Sequence, residues 1–153
     1  MKKILLSALA LSIVCLGFLI VSIPASAEGP SASETTGDTT DASQFVAYYF
    51  HGNFRCATCK KLEAYSQEAI SDAFADELAA GTLSWKVLNT DEKANKHFVT
   101  DFELVTKAVV LVEYRDGKVV RFENLKDVWE LVGDKEEFIK YVQDSTREFL
   151  GQG

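Results

Sequence analysis

Two cysteines with two residues between them, Cys56-Ala57-Thr58-Cys59, are the side chains of this sequence most suited to chemistry. They follow an apolar run at 45–50 and open a stretch of helical periodicity. At that spacing both sulfurs fall on one helical turn, close enough to form a disulfide. With Cys56 at the helix start, unpaired backbone N–H groups and the helix dipole favour its thiolate, the form that attacks disulfides. The outer Cys56 is therefore expected to attack and to form a mixed disulfide with a substrate. Cys59, one turn further in and nearer the apolar face, is expected to resolve that intermediate by attacking Cys56. Arg55, Lys60 and Lys61 add positive charge beside the pair, weakened by solvent screening. As a mere staple the pair would achieve little, because closing so short a loop removes little entropy from the unfolded chain.

The same two thiolates also suit a soft ion such as Cu(I) or Zn, although a closed site normally needs further ligands. The sequence has two histidines. His51 lies five residues before Cys56 in the same loop and is the candidate third ligand, so a metal site would comprise Cys56, Cys59 and His51. An imidazolium at His51 would instead stabilise a thiolate, and a plain solvated loop histidine is the third alternative. His97 reads as a surface residue.

Positioning these groups falls to the elements around them. Residues 45–50, almost wholly apolar, predict a buried central strand. His51 to Arg55, with Gly52, predicts a loop. Cys59, Leu62, Ser66, Ala69, Ile70, Ala73, Phe74 and Leu78 recur at helical spacing and predict one helix ended by Gly81. Residues 83–89 alternate as a second strand, and Ala94, Phe98 and Phe102 mark a short second helix. Asp91 is expected to cap that helix, the competing role being to assist proton transfer from Cys59. Residues 108–112 are apolar on both phases, hence central, and Asp116-Gly117 turns them into a hairpin with 119–122. A helical turn at 127–131 precedes a last helix from about Asp134, with Phe138, Val142, Ser145 and Phe149 on one face. Trp85 and Trp129 are expected as core or cap residues. Phe54 has two readings, an exposed apolar contact beside the cysteines or packing beneath their loop. The order β-α-β-α-β-β-α predicts a three-layer α/β fold with a mixed central sheet. Both strand-helix-strand units are expected to place their strands parallel, and the closing hairpin adds the antiparallel edge.

The ends bound the setting. Met1-Lys2-Lys3, an apolar run at 4–23, Pro24 and Ala25-Ser26-Ala27 predict a cleaved secretory signal over residues 1–27. The alternative is an uncleaved anchor, since the apolar run just reaches the length that spans a bilayer. Residues 28–43 are rich in Gly, Ser, Thr, Asp and Glu and read as a flexible tether before a domain at 44–150. The expected location is thus periplasmic or secreted, or membrane-anchored facing outward. Loss of Lys2 and Lys3 with the signal moves the formal charge from −7 to −9. That balance argues against nucleic acid, which requires clustered Lys and Arg. Of three cysteines only Cys56 and Cys59 lie beyond the signal, too few for a disulfide-stapled scaffold.

This arrangement resembles the thioredoxin-like superfamily over about residues 44–150. The segment Arg55-Cys56-Ala57-Thr58-Cys59-Lys60-Lys61 is similar to that of small bacterial exported thioredoxin-like proteins carrying a CxxC motif. The resemblance implies Cys56 as the exposed nucleophile, Cys59 as the buried partner, and electron exchange with another dithiol or disulfide protein or a small thiol, without a cofactor. It also departs from the family. Arg55 stands where ordinary thioredoxins have Trp, and Ala57-Thr58 where they have Gly-Pro. The family's cis-proline before the third core strand is missing too, the matching stretch being Val105-Thr106-Lys107-Ala108. Thr106 and Lys107 have two readings there: reaching towards the sulfurs, Lys107 as a cation favouring the thiolate and Thr106 as a substrate or ligand contact, or else a strand-start hydrogen bond for Thr106 and a solvent-facing cation for Lys107. Three functions follow: an extracytoplasmic thiol-disulfide oxidoreductase, a soft-metal (copper) binding protein using the same cysteines, or a non-catalytic interaction module.

Overall fold

A computed structural model describes residues 43–153. The expected signal and all of the expected tether except Ser43 lie outside the described residues. The elements are β1 (Gln44–His51), α1 (Ala57–Ala73), α2 (Ala75–Ala80), β2 (Leu83–Asn89), a 3-10 turn (Lys93–Asn95), α3 (His97–Asp101), β3 (Ala108–Arg115), β4 (Lys118–Asn124), α4 (Val128–Leu131) and α5 (Lys135–Leu150). The sheet order is β2-β1-β3-β4, with β1 and β2 parallel and β3 antiparallel to both β1 and β4. This is a three-layer α/β fold with a mixed central sheet and thioredoxin-like topology.

The direction of β3 corrects the expectation of a second parallel unit. A parallel crossover must carry the chain back along the whole strand. An eight-residue strand is about 26 Å long. The 17 residues of α1 span about 25 Å and complete that return. The five residues of α3 span only about 7 Å. Residues 90–107 therefore stay at one end of the sheet. β2 ends with Asn89 beside His51, and β3 begins with Ala108 beside Phe50. Entering from the end at which β2 left, β3 must run the other way.

β1 is buried on both faces because each face meets its own helical layer. Ala47, Tyr49, Val109 and Leu111 form one core with Leu62, Ile70 and Phe74 from the α1 side and Phe138, Val142 and Phe149 from α5. Val46, Tyr48, Phe50, Val110 and Val112 form the other with Phe98, Phe102 and Leu104. Aromatic rings dominate this second core, with Tyr48 on Phe50 at 5.0 Å and Phe98 on Phe102 at 5.6 Å between centroids. Such pairs add about 0.5–1.5 kcal/mol each beyond the area they bury.

Two helical expectations change. The helix after the cysteines is broken at Phe74 (φ −129°, ψ 35°). Phe74 keeps its ring in the core at 1 % exposure, while α2 turns outward and buries no residue fully. Gly81 does end this second piece, in the left-handed region at φ 74°, where a side chain is costly. On α5 the buried face is Phe138, Val142, Thr146 and Phe149. Thr146 replaces the expected Ser145 because a +4 step from Val142 stays in register with the stripe, and its hydroxyl donates to the Val142 carbonyl at 2.7 Å. Asp134 caps α5 by accepting the N–H groups of Glu136 and Glu137. The hairpin turn has Asp116 and Gly117 at φ 51° and 71°, the left-handed pair that a two-residue turn between twisted strands requires.

Candidate redox site

Cys56 is the N-cap of α1. Its backbone is extended (φ −73°, ψ 168°), and its sulfur accepts the Cys59 N–H at 3.1 Å. The two cysteines are joined by a disulfide, with Cα atoms 5.1 Å apart. Cys56 is half-buried, whereas Cys59 is 1 % exposed. An incoming group can therefore reach Cys56, while Cys59 meets only its neighbour. No acidic residue occupies the first turn of α1, so the positive end of the helix dipole is uncompensated there. A thiolate on Cys56 supplies the negative charge that this end favours.

The loop before Cys56 is tied down on two sides. On one side the Asn53 N–H donates to Asp91 Oδ2 at 2.6 Å, and Asn89 Nδ2 donates to Asn53 Oδ1 at 2.8 Å. Asp91 thus holds the loop and does not cap the next helix, whose preceding residues make no side-chain cap. A Cβ at Gly52 would lie 3.0 Å from Asp91 Oδ2, so the close approach of this carboxylate requires glycine. On the other side Arg55 is ion-paired with Glu63, two turns into α1. Arg55 Nη1 also lies 3.1 Å from His51 Nε2, and His51 Nδ1 lies 2.9 Å from the Gly52 carbonyl oxygen. A guanidinium only donates. His51 Nε2 accordingly accepts from Arg55, and the imidazole proton sits on Nδ1, donating to Gly52. Arg55 Nε is buried without a partner among the described residues.

Beneath the pair, the buried Tyr49 hydroxyl donates to the Cys59 carbonyl at 2.7 Å. Burial pushes the Tyr49 phenol up to about 12, against the opposing pull of the Arg55 charge. Tyr49 therefore stays a neutral donor that fixes the first turn of α1.

Facing the cysteine loop is the segment before β3. Val105 is 96 % exposed and Thr106 is exposed, while Lys107 is half-buried with Nζ 5.9 Å from the Phe54 ring centroid. Phe54 is itself 74 % exposed, so of its two readings the exposed one holds. Trp129 Nε1 donates to the Lys107 carbonyl at 2.9 Å and anchors this segment to α4. A groove of about 290 Å³ runs between the loops, with His51, Gly52, Thr90 and residues 104–107 among its walls.

Of the residues expected at the site, His51 is the last residue of β1, paired with Asn89, and not part of the loop as expected, while Arg55 lies on the loop and Cys56 and Cys59 at the start of α1. Lys60 and Lys61 are exposed on the same turn of α1. Thr106 and Lys107 lie on the facing segment. His97 sits on α3, in the other helical layer, 4.0 Å from Asp101. Among the described residues no group of three His, Cys, Asp or Glu side chains converges as a metal site. Sequence reasoning missed Tyr49, Glu63, Val105 and the anchoring role of Trp129. Only Gly52 carried a readable signal of close packing in the loop.

No protein-family model matches this sequence, and no curated protein matches it. Among solved structures, the chain is similar to thioredoxin f2 of Chlamydomonas reinhardtii at 14 % identity, covering 61 % of this chain and 81 % of that one with a TM-score of 0.37. It is also similar to a thioredoxin from Trypanosoma brucei brucei at 15 % identity, covering 68 % and 76 % respectively, with a TM-score of 0.37. The fold assignment rests on strand order and helix placement. They define a protein of thioredoxin-like topology with a disulfide-forming cysteine pair at the start of its first helix.

Proposed function

We propose that this protein is an extracytoplasmic thiol-disulfide oxidoreductase cycling Cys56 and Cys59 between dithiol and disulfide. The observation that carries the reading is the asymmetry of the pair: an accessible sulfur at a helix N-cap, bonded to a fully buried one. In the dithiol state the Cys56 thiolate attacks a partner disulfide, expelling one partner thiolate. Cys59 then attacks Cys56 and expels the second. Two electrons pass to the partner and the disulfide is restored. Export, inferred from residues 1–27, supplies a compartment in which such disulfides persist. The partner is another dithiol or disulfide protein, or a small thiol.

Measuring the reduction potential and the turnover of a disulfide peptide tests this reading, with Cys56→Ser and Cys59→Ser as controls. The expected result is turnover by the native protein, none by either variant, and a trapped mixed disulfide on Cys59→Ser. A disulfide that resists dithiol reductants and yields no mixed disulfide would overturn it.

A further inference from the structure

The surroundings of Cys56 differ in charge from the rest of the domain. Between positions 44 and 62 the formally charged side chains are Arg55, Lys60 and Lys61, all cationic, in a chain whose formal charge is −7. Glu63 neutralises Arg55, which leaves exposed Lys60 and Lys61 on the cysteine side. Lys107 Nζ lies 5.9 Å from the Phe54 ring centroid, two residues before Cys56. Lys60 and Lys61 stand near the positive end of α1, where a cation opposes the helix dipole. Helix stability gives no reason for lysines there. Three carboxylates border the area: Asp91 is turned onto the Asn53 N–H, Glu92 accepts from Asn95, and Glu103 precedes Leu104 in the chain.

Apolar surface is the second observation. Among the described residues, Phe54 and Val105, at 74 % and 96 %, are the two most exposed large hydrophobic side chains. Phe54 stands two residues before Cys56, and Val105 lines one groove with His51 and Gly52, where the cysteine loop begins. A small hydrophilic disulfide would leave both wet, whereas a peptide with a large apolar side chain beside its cysteine would cover both.

We propose that the physiological partner of Cys56 is a polypeptide whose reacting cysteine lies beside a large apolar residue and is flanked by carboxylates. This rests on the thiol-disulfide reading above. Phe54 and Val105 would grip the apolar side chain, and Lys60, Lys61 and Lys107 would steer the carboxylates. Reaction proceeds by the two displacement steps already written, and the departing partner thiolates take up protons from solvent.

The test uses the reduced protein and three probes. These are a neutral small disulfide (2-hydroxyethyl disulfide), glutathione disulfide, and peptide disulfides with Phe beside cysteine and either Glu or Lys flanks. The Glu-flanked peptide should react about tenfold faster than the Lys-flanked one at low ionic strength, with the gap closing in high salt. Lys60→Glu combined with Lys61→Glu should invert the ratio of the two peptide rates, each normalised to the neutral disulfide. Val105→Asp should lower the rate with the Glu-flanked peptide more than with the neutral disulfide. Equal rates for the two peptides, or a preference for Lys flanks, would overturn the proposal while leaving the redox reading standing. Glutathione disulfide reacting as fast as the Glu-flanked peptide would overturn the polypeptide assignment. No exchange even with the neutral disulfide would overturn both.

Discussion

The two ends of the central strand pair spend their polar groups in opposite ways. At the end where β1 begins, Glu113 is 2 % exposed and fully engaged. Its Oε1 accepts from Ser43 at 2.7 Å and from Arg115 Nη2 at 2.8 Å, and its Oε2 accepts from Arg121 Nε at 2.6 Å. Arg121 also donates to the Phe149 carbonyl and lies over the Phe149 ring at 4.0 Å. A buried carboxylate persists there because charged donors surround it. At the other end the half-buried sulfur of Cys56, the unpartnered Arg55 Nε and the exposed Phe54 and Val105 remain unspent. One end is closed and holds the fold together. The other is braced from behind and left open in front, as a site that must meet a partner has to be.

That contrast is broken most sharply by exchanging damage between the ends. Cys56→Ser should abolish disulfide exchange yet, compared with the reduced native protein, which also lacks the crosslink, leave stability within about 1 kcal/mol, because a serine hydroxyl caps α1 in place of the sulfur. Glu113→Ala should do the reverse, costing about 2 kcal/mol by stranding Ser43, Arg115 and Arg121 while leaving the reduction potential unmoved. Denaturant titrations and potentials on both variants check the pair. A large potential shift in Glu113→Ala would show that the two ends are coupled.

Acid sharpens the same comparison. The Ser43 hydrogen bond, assisted by Arg121 and Arg115 against the cost of burial, holds the Glu113 carboxyl down to about 2 from an ordinary 4.5. A depressed carboxyl contributes stability that is fully present above 4.5 and is lost as pH falls from there through about 2. The native protein should therefore lose more Tm between pH 5 and 2 than Glu113→Gln does. Parallel curves would refute the role given to this carboxylate.

Smaller effects belong to the braces of the redox end. Asp91→Ala removes the acceptor of the Asn53 N–H, so amide exchange at Asn53 should quicken, stability should fall by about 1 kcal/mol, and disulfide exchange should slow. Unchanged amide exchange would mean that Asp91 does not hold the loop. Trp129→Phe keeps most of the packing but loses the bond to the Lys107 carbonyl, for about 0.5–1 kcal/mol. Its readout is a modest rise in KM for the peptide disulfide with kcat preserved.

Much of the fold was legible because the signals are local. Residues 83–89 form β2 over the span their alternation marks, Asp116-Gly117 makes the hairpin, and Asp134 caps α5. The break at Phe74 was not legible, since Phe74 and Leu78 continue the apolar spacing of α1 and only packing decides that the ring stays while the helix turns. Glu113 was equally hidden, as a lone carboxylate near a hairpin reads like any exposed strand residue.

By itself the sequence determined that two cysteines stand one turn apart at the start of an amphipathic helix, after a strand apolar on both phases. Spacing and periodicity act over a few residues, and a helix start orients its own first turn. Tertiary structure alone decided that β3 runs antiparallel, that Glu63 and His51 take up Arg55, and that Lys107 comes to the Phe54 ring beside the cysteines. Each of these depends on the chain's path between distant segments, where the length of a connecting helix and the packing of side chains far apart in sequence set the geometry.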